Sequence, residues 1–167
     1  ALARRGMRVT AVDYSLPLLA ALRGRAQQEG LRMDVLEADY ASLAWKPGDT
    51  FDLVFLGLNY GSIPSRPARI AFLKKVKFLM KDDGRLFLSF ACQPKTFWSV
   101  PGLWFHRLCA LVCRGHREVE IGDEIRGEGE FLHRFASGSD VFEEVRDTGF
   151  AVDMGVEKER ALFLKMA

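Results

Sequence analysis

Chemistry in this 167-residue chain has to come from a small set of side chains. Asp13 closes an alternating stretch, residues 8–12, and Asp39 closely follows the next one, so two carboxylates stand where strands run into loops. A carboxylate in that position accepts hydrogen bonds, and it serves equally well as a turn residue or as the cap of a following helix. His133, within Phe131-Leu132-His133-Arg134-Phe135, is the titratable group best placed for proton transfer in the last third, with a surface or core histidine as the plainer alternative. Asn59-Tyr60 follows an apolar run, where Tyr60 is either a packing residue or part of a pocket. Cys109, Cys113 and His116, with His106 nearby, bring thiols and imidazoles together, and cysteines four apart share a helix face. Their spacing matches no standard zinc pattern, and free cysteines on an apolar helix usually act as small core residues, so no metal is expected.

The elements that must hold these groups alternate along the chain. Residues 1–5 read as the last turn of a helix stopped by Gly6, followed by a strand over 8–12 that ends in Asp13. A helix over 16–29 ends at Gly30, and a second strand over 31–36 runs into Glu37-Ala38-Asp39. FDLVFLGL, residues 51–58, reads as a strand buried on both faces. Ser65 can cap the next helix, with Pro67 in its first turn, Ile70, Leu73, Val76 and Met80 on one face, and Asp83-Gly84 as its stop. RLFLSFA, residues 85–91, is a further buried strand. Strict strand–helix alternation is the signature of an α/β domain with a parallel sheet.

The last third breaks that rhythm. Residues 95–114 are aromatic-rich and partly helical, and 116–135 are polar enough for a hairpin or two. Ser137 and Asp140 fit a capping box for a helix through Asp147, stopped by Gly149, and 150–157 and 160–166 form a closing strand pair. Composition sets outer limits. Apolar residues at 49% and charged residues at 28% describe a globular chain with a real core, and no apolar run is long enough for a bilayer. A net charge of +2 gives no electrostatic case for nucleic acid. Three cysteines make no disulfide framework, and nothing near Arg4-Arg5 resembles a signal peptide, so a cytoplasmic location is the default expectation.

Asp13 ending one strand, Glu37-Ala38-Asp39 ending the next, FDLVFLGL, Asp83-Gly84 before RLFLSF, and helix–Thr148-Gly149-Phe150–strand–strand together resemble a class I S-adenosylmethionine-dependent methyltransferase. The resemblance covers roughly residues 1–91 and 137–167. It implies a Rossmann-like, mostly parallel sheet flanked by helices and closed by an antiparallel strand pair, in a single domain over residues 1–167 with 95–136 as an inserted cover. It also implies S-adenosylmethionine as cofactor. Asp13, with Tyr14, would face the ribose hydroxyls, and Asp39, with Tyr40, the adenine. Leu58 and Asn59 would stand where cofactor and substrate meet. The family's first strand and its Gly-rich loop have no counterpart here, and Gly127-Glu128-Gly129 is a poor substitute. Residues upstream of Ala1, or another chain, would supply that central strand; without it two inner sheet edges stay unpaired.

By analogy with segments inserted late in this fold, Tyr60, Trp98, Trp104 and His133 are substrate-pocket candidates. Burial over the sheet's crevice is the leading reading of the apolar segment 97–113. A homodimer face, or a membrane-surface helix flanked by Arg107, Arg114 and Arg117, is the rival. Glu118, Glu120, Asp123, Glu124, Glu128 and Glu130 read as solvated charge. Asn59-Tyr60 lacks the two prolines of the Asn-Pro-Pro-Tyr motif, which disfavours methylation of amino nitrogens in bases and proteins. The expected function is methyl transfer to a small-molecule acceptor, with no general base assigned. The alternatives are an inactive cofactor-binding or partner domain of the same fold, a methyltransferase acting on RNA or protein, and a nicotinamide-binding domain.

Overall fold

The computed structural model describes residues 1–45, 48, 50–93, 99–112, 119–125, 127, 129–156 and 161–166. Its contacts cluster into two compact units, Ala1–Pro47 and Gly48–Ala167. In the first, a 3₁₀ turn at Ala3–Arg5 stops at Gly6, whose φ of 80° is the left-handed conformation that glycine adopts without strain. Strand β1 (Val9–Asp13), helix α1 (Leu16–Gln28) and strand β2 (Met33–Glu37) follow. β1 and β2 pair in parallel with Asp13 opposite Glu37, so both strands present their carboxyl ends on one side.

The second unit holds β3 (Phe51–Leu56), a 3₁₀ turn at Leu58–Ser62, α2 (Arg66–Phe78), β4 (Met80–Ser89), α3 (Ser99–Val112), β5 (Asp123–Ile125), β6 (Phe131–His133), α4 (Gly138–Arg146), β7 (Phe150–Val156) and β8 (Ala161–Met166). Four strands form a sheet in the order β3-β4-β8-β7, and β5-β6 is a separate antiparallel hairpin. β3 and β4 run parallel, while β8 is antiparallel to both of its neighbours. The period of two sorts the strand residues. Leu86, Leu88, Leu162 and Leu164 are completely buried, as are Leu73 of α2 and Val141 and Val145 of α4. On the other face Phe55, Phe87 and Phe163 stand directly opposite one another across the strands, with ring centroids 4.6 and 4.9 Å apart.

Four sequence expectations change. β3 stops at Leu56 and is not buried on both faces; Phe55 is 61% exposed, and among the described residues β3 pairs with β4 alone, at the edge of its sheet. Helix α2 ends at Phe78, so Asp83-Gly84 is not its stop. That pair lies where the β3–β4 register shifts, and a Cβ on Gly84 would come within 3.1 Å of the Phe51 carbonyl oxygen. Ser65 makes no side-chain cap to α2. The Ser137–Asp140 capping box is rearranged: Ser137 Oγ lies 3.5 Å from Asp140 Oδ1, while Asp140 Oδ2 accepts the Ala136 N–H at 3.0 Å.

Candidate functional site

On α2, residues 69, 72, 73 and 76 share one face at helical spacing and all four are buried, although the first is arginine. Arg69 is 1% exposed. A buried guanidinium demands acceptors, and the fold provides them from the Ile63 carbonyl and from two carboxylates distant in sequence. Arg69 Nε and Nη2 donate to Glu144 Oε2 and Oε1 of α4 at 3.1 and 2.7 Å, and Nη2 also donates to Glu120 Oε2 at 2.7 Å. The Tyr60 hydroxyl donates to the same Glu144 carboxylate. The guanidinium lies 5.2 Å from the Phe135 ring centroid. Burial works against the charge on Arg69, but hydrogen bonds and charge from Glu144 and then Glu120 outweigh it and raise its pKa. Burial, reinforced by Glu144, holds the Tyr60 phenol far above its usual range. Tyr60 is therefore a neutral donor and Glu144 a purely structural counter-ion.

Glu120 links this network to a second cluster. Its Oε1 accepts the backbone N–H of Arg66 at 2.8 Å, which caps the start of α2 in place of Ser65. Its own N–H donates to Asp123 Oδ2 at 2.7 Å. Asp123 Oδ1 lies 2.6 Å from His133 Nδ1, and Glu120 Oε2 lies 3.6 Å from the same nitrogen. A carboxylate oxygen accepts here, so Nδ1 carries the proton that faces Asp123. No partner for Nε2 is found among the described residues. A His held by Asp in this way is an acid–base device. Glu120, Asp123 and His133 also offer ligand atoms within 4.8 Å of one another. Yet the four carboxylate oxygens are already engaged and the Arg69 cation touches one of them, which suits proton chemistry better than a divalent ion.

Backbone contacts place this dyad at the rim of the sheet. A Cβ on Gly61, in the turn after β3, would lie 2.7 Å from the His133 carbonyl oxygen. Phe135 exchanges hydrogen bonds with Ala91 and Gln93, where the chain leaves β4. His133 thus stands at the carboxyl ends of the parallel strands β3 and β4, the rim at which open α/β sheets bind ligands.

In the first unit, Asp13 Oδ1 accepts the Ser15 N–H at 2.8 Å and Asp39 Oδ1 accepts the Ala41 N–H at 2.9 Å. Each strand-end carboxylate is thereby oriented by a local turn, and the Oδ2 of each has no partner among the described residues. Tyr14 is exposed and Tyr40 half-buried. In the second unit, Leu58 and Asn59 are exposed in the turn after β3. Tyr60 departs from the pocket expectation, because its ring is completely buried and its hydroxyl is committed to Glu144. Trp104 departs from the cover expectation, being 68% exposed on α3. Trp98, Cys113 and His116 lie outside the described residues. Glu120, Asp123 and Glu124 are not merely solvated charge, since each binds a group of its own chain. Sequence reading missed Arg69 and Glu144, and the available signal was a charged residue inside each apolar stripe: Arg69 with Leu73 and Val76, Glu144 with Val141 and Val145.

Residues 1–84 match the family described as a methyltransferase domain. No curated protein sequence matches the chain. Among solved structures, an S-adenosylmethionine-dependent methyltransferase from Clostridium acetobutylicum superposes with a TM-score of 0.68 at 14% identity, over 99% of this chain and 78% of that one. One from Methanosarcina mazei gives 0.66 at 19% identity, over 99% and 85%. The CcbJ methyltransferase of Streptomyces caelestis gives 0.65 at 14% identity, over 99% and 77%. At such identities the likeness is one of fold.

Proposed function

Because the chain belongs to the methyltransferase-domain family, we propose that it transfers a methyl group from S-adenosylmethionine to a small-molecule acceptor. The observation that carries this reading is the pair of strand-end carboxylates, Asp13 and Asp39, each held by one oxygen in a turn and offering the other outward. That pair of acceptors fits a nucleoside. Asp13 accepts from ribose hydroxyls, with Tyr14 beside it, and Asp39 accepts from the adenine amino group, with Tyr40 beside it. Leu58 and Asn59 line the approach to the reacting end. When bound, the cofactor supplies a methyl group activated by a sulfonium sulfur. The protein's part is to bind, orient and exclude water. His133, aligned by Asp123, accepts at Nε2 the proton of an oxygen or protonated nitrogen acceptor. Near-neutral charge and the absent Pro-Pro pair favour a small molecule over RNA or protein. The titratable dyad at the sheet rim favours turnover over a retired fold.

Calorimetric titration with S-adenosylhomocysteine tests the cofactor reading. Saturable binding is expected, weakened roughly 10- to 150-fold by Asp13→Ala, in line with loss of a charge-assisted hydrogen bond of about 1.5–3 kcal/mol. A folded sample that takes up no S-adenosylhomocysteine refutes it.

A further inference from the structure

We propose that α3 is a docking helix for an anionic lipid surface. Trp104, Leu108, Leu111 and Val112 are 68, 60, 56 and 75% exposed. At 100° per residue these positions fall within a 100° arc, so they form one continuous apolar stripe rather than scattered exposure. The sequence around α3 carries charge of one sign: residues 86–117 contain no Asp or Glu, while Lys95, Arg107, Arg114 and Arg117 are cationic. Arg107 borders the stripe on α3 itself, and its guanidinium donates to a neutral acceptor, the Val119 carbonyl, at 3.2 Å. Among the described acids that follow in sequence, Glu120 and Asp123 engage Arg69 and His133, and Glu124 pairs with Arg134.

Length decides the mode. Fourteen residues make a helix of about 21 Å, short of the roughly 30 Å hydrocarbon core. No helix among the described residues is long and apolar enough to cross a membrane. A short helix with an apolar face and a basic margin lies in the interface plane, with its apolar side chains among the acyl chains and its cations among anionic headgroups. A second copy of the chain fits less well, because a two-fold contact along this stripe brings Arg107 against Arg107 with no acid on either helix.

The test is co-sedimentation of the whole chain with vesicles of phosphatidylcholine alone and with 30% phosphatidylglycerol, with sedimentation equilibrium on the lipid-free protein. The expected result is binding to the anionic vesicles and a blue shift of tryptophan emission. The double variant Leu108→Ser/Leu111→Ser should weaken partitioning roughly tenfold or more. Arg107→Gln should weaken it about fivefold, with little change on neutral vesicles. These side chains are exposed, so unchanged circular dichroism is expected for each variant. Absence of vesicle binding overturns the proposal. So does equal binding to neutral vesicles, or a lipid-free dimer that the serine variant dissociates while vesicles go unbound. None of these outcomes depends on cofactor binding, so the proposal stands or falls apart from the methyl-transfer reading.

Discussion

Replacing Arg69 with methionine should be among the most destabilising substitutions in the second unit. The change keeps most of the side-chain volume and removes the cation that both Glu144 and Glu120 face. The two carboxylates lose unequally. Glu120 is 26% exposed in its side chain, so it turns to water and keeps its bond to the α2 N-terminus. Glu144 is 4% exposed and retains only the Tyr60 hydroxyl. Breaking a buried pair from one side costs about 3–5 kcal/mol, because the surviving charge stays desolvated. At a urea slope near 2 kcal/mol/M, that moves the unfolding midpoint down by roughly 1.5–2.5 M. The control is the triple variant Arg69→Met/Glu144→Leu/Tyr60→Phe, which removes the buried members of the set, leaves the part-exposed Glu120 to water and should return to within about 2 kcal/mol of the parent. It also answers the case in which the single variant does not fold. Equilibrium urea denaturation followed by circular dichroism decides between the outcomes. A single variant within about 1 kcal/mol of the parent, or a triple variant as unstable as the single, refutes the reasoning.

Gly122 has a φ of 108°, and a Cβ there would fall 2.1 Å from the Arg134 carbonyl oxygen; Gly122→Ala should therefore open the β5–β6 hairpin and lower the thermal midpoint, while Gly127→Ala, with open space around it, serves as the control. The hydrogen bond that Lys81 Nζ donates to Asp52 Oδ1 lowers the Asp52 pKa and raises the Lys81 pKa. Their contribution is therefore full between the two unfolded values, about pH 4 to 10, fading as pH falls through the folded Asp52 pKa or rises through the folded Lys81 pKa. The midpoint difference between parent and Asp52→Asn should accordingly shrink at both ends and in high salt, and a difference unchanged at pH 2 counts against it. Asp39→Ala should weaken S-adenosylhomocysteine binding less than Asp13→Ala, because adenine also has a stacking face; equal losses would show that the carboxylate alone holds the base.

Periodicity made the elements legible because it reflects local geometry. Apolar alternation located β1, β7 and β8, an apolar run located the second half of β4, and Ser137 with Gly149 bracketed α4. What failed depended on partners distant in sequence. Whether Phe55 is buried depends on a neighbouring strand, not on its own run of residues. Asp83-Gly84 reads as a helix stop, yet the glycine is required by the approach of Phe51 from another strand. Arg69 meets Glu120 and Glu144 across 51 and 75 residues, and no local pattern encodes such a pairing. Of the residues proposed for function, Asp13 and Asp39 in the first unit and His133 in the second were visible as residue types near strand ends. Asp123, which orients His133, was hidden among acids that looked like ordinary solvated charge.

The Arg69 network raises a question that stability does not answer. Apolar residues of the same volume would hold α2 to α4 about as well. What they would not do is direct Glu120, which is the one residue bonded to the α2 N-terminus, to Arg69 and, through its backbone N–H, to Asp123. Arg69 is thus a positioning residue for the segment that carries the dyad, acting through Glu120 rather than on any ligand. The triple variant separates the two roles. Its global stability should stay near that of the parent, while the hairpin loses one of its anchors. The Arg134 amide, which donates to the Gly122 carbonyl at 2.8 Å, should then exchange with deuterium roughly tenfold faster, while amides of β4 and β8 remain unchanged. Equal protection at Arg134 in parent and triple variant would mean that the hairpin holds its own shape, and that the buried charges only fill the core.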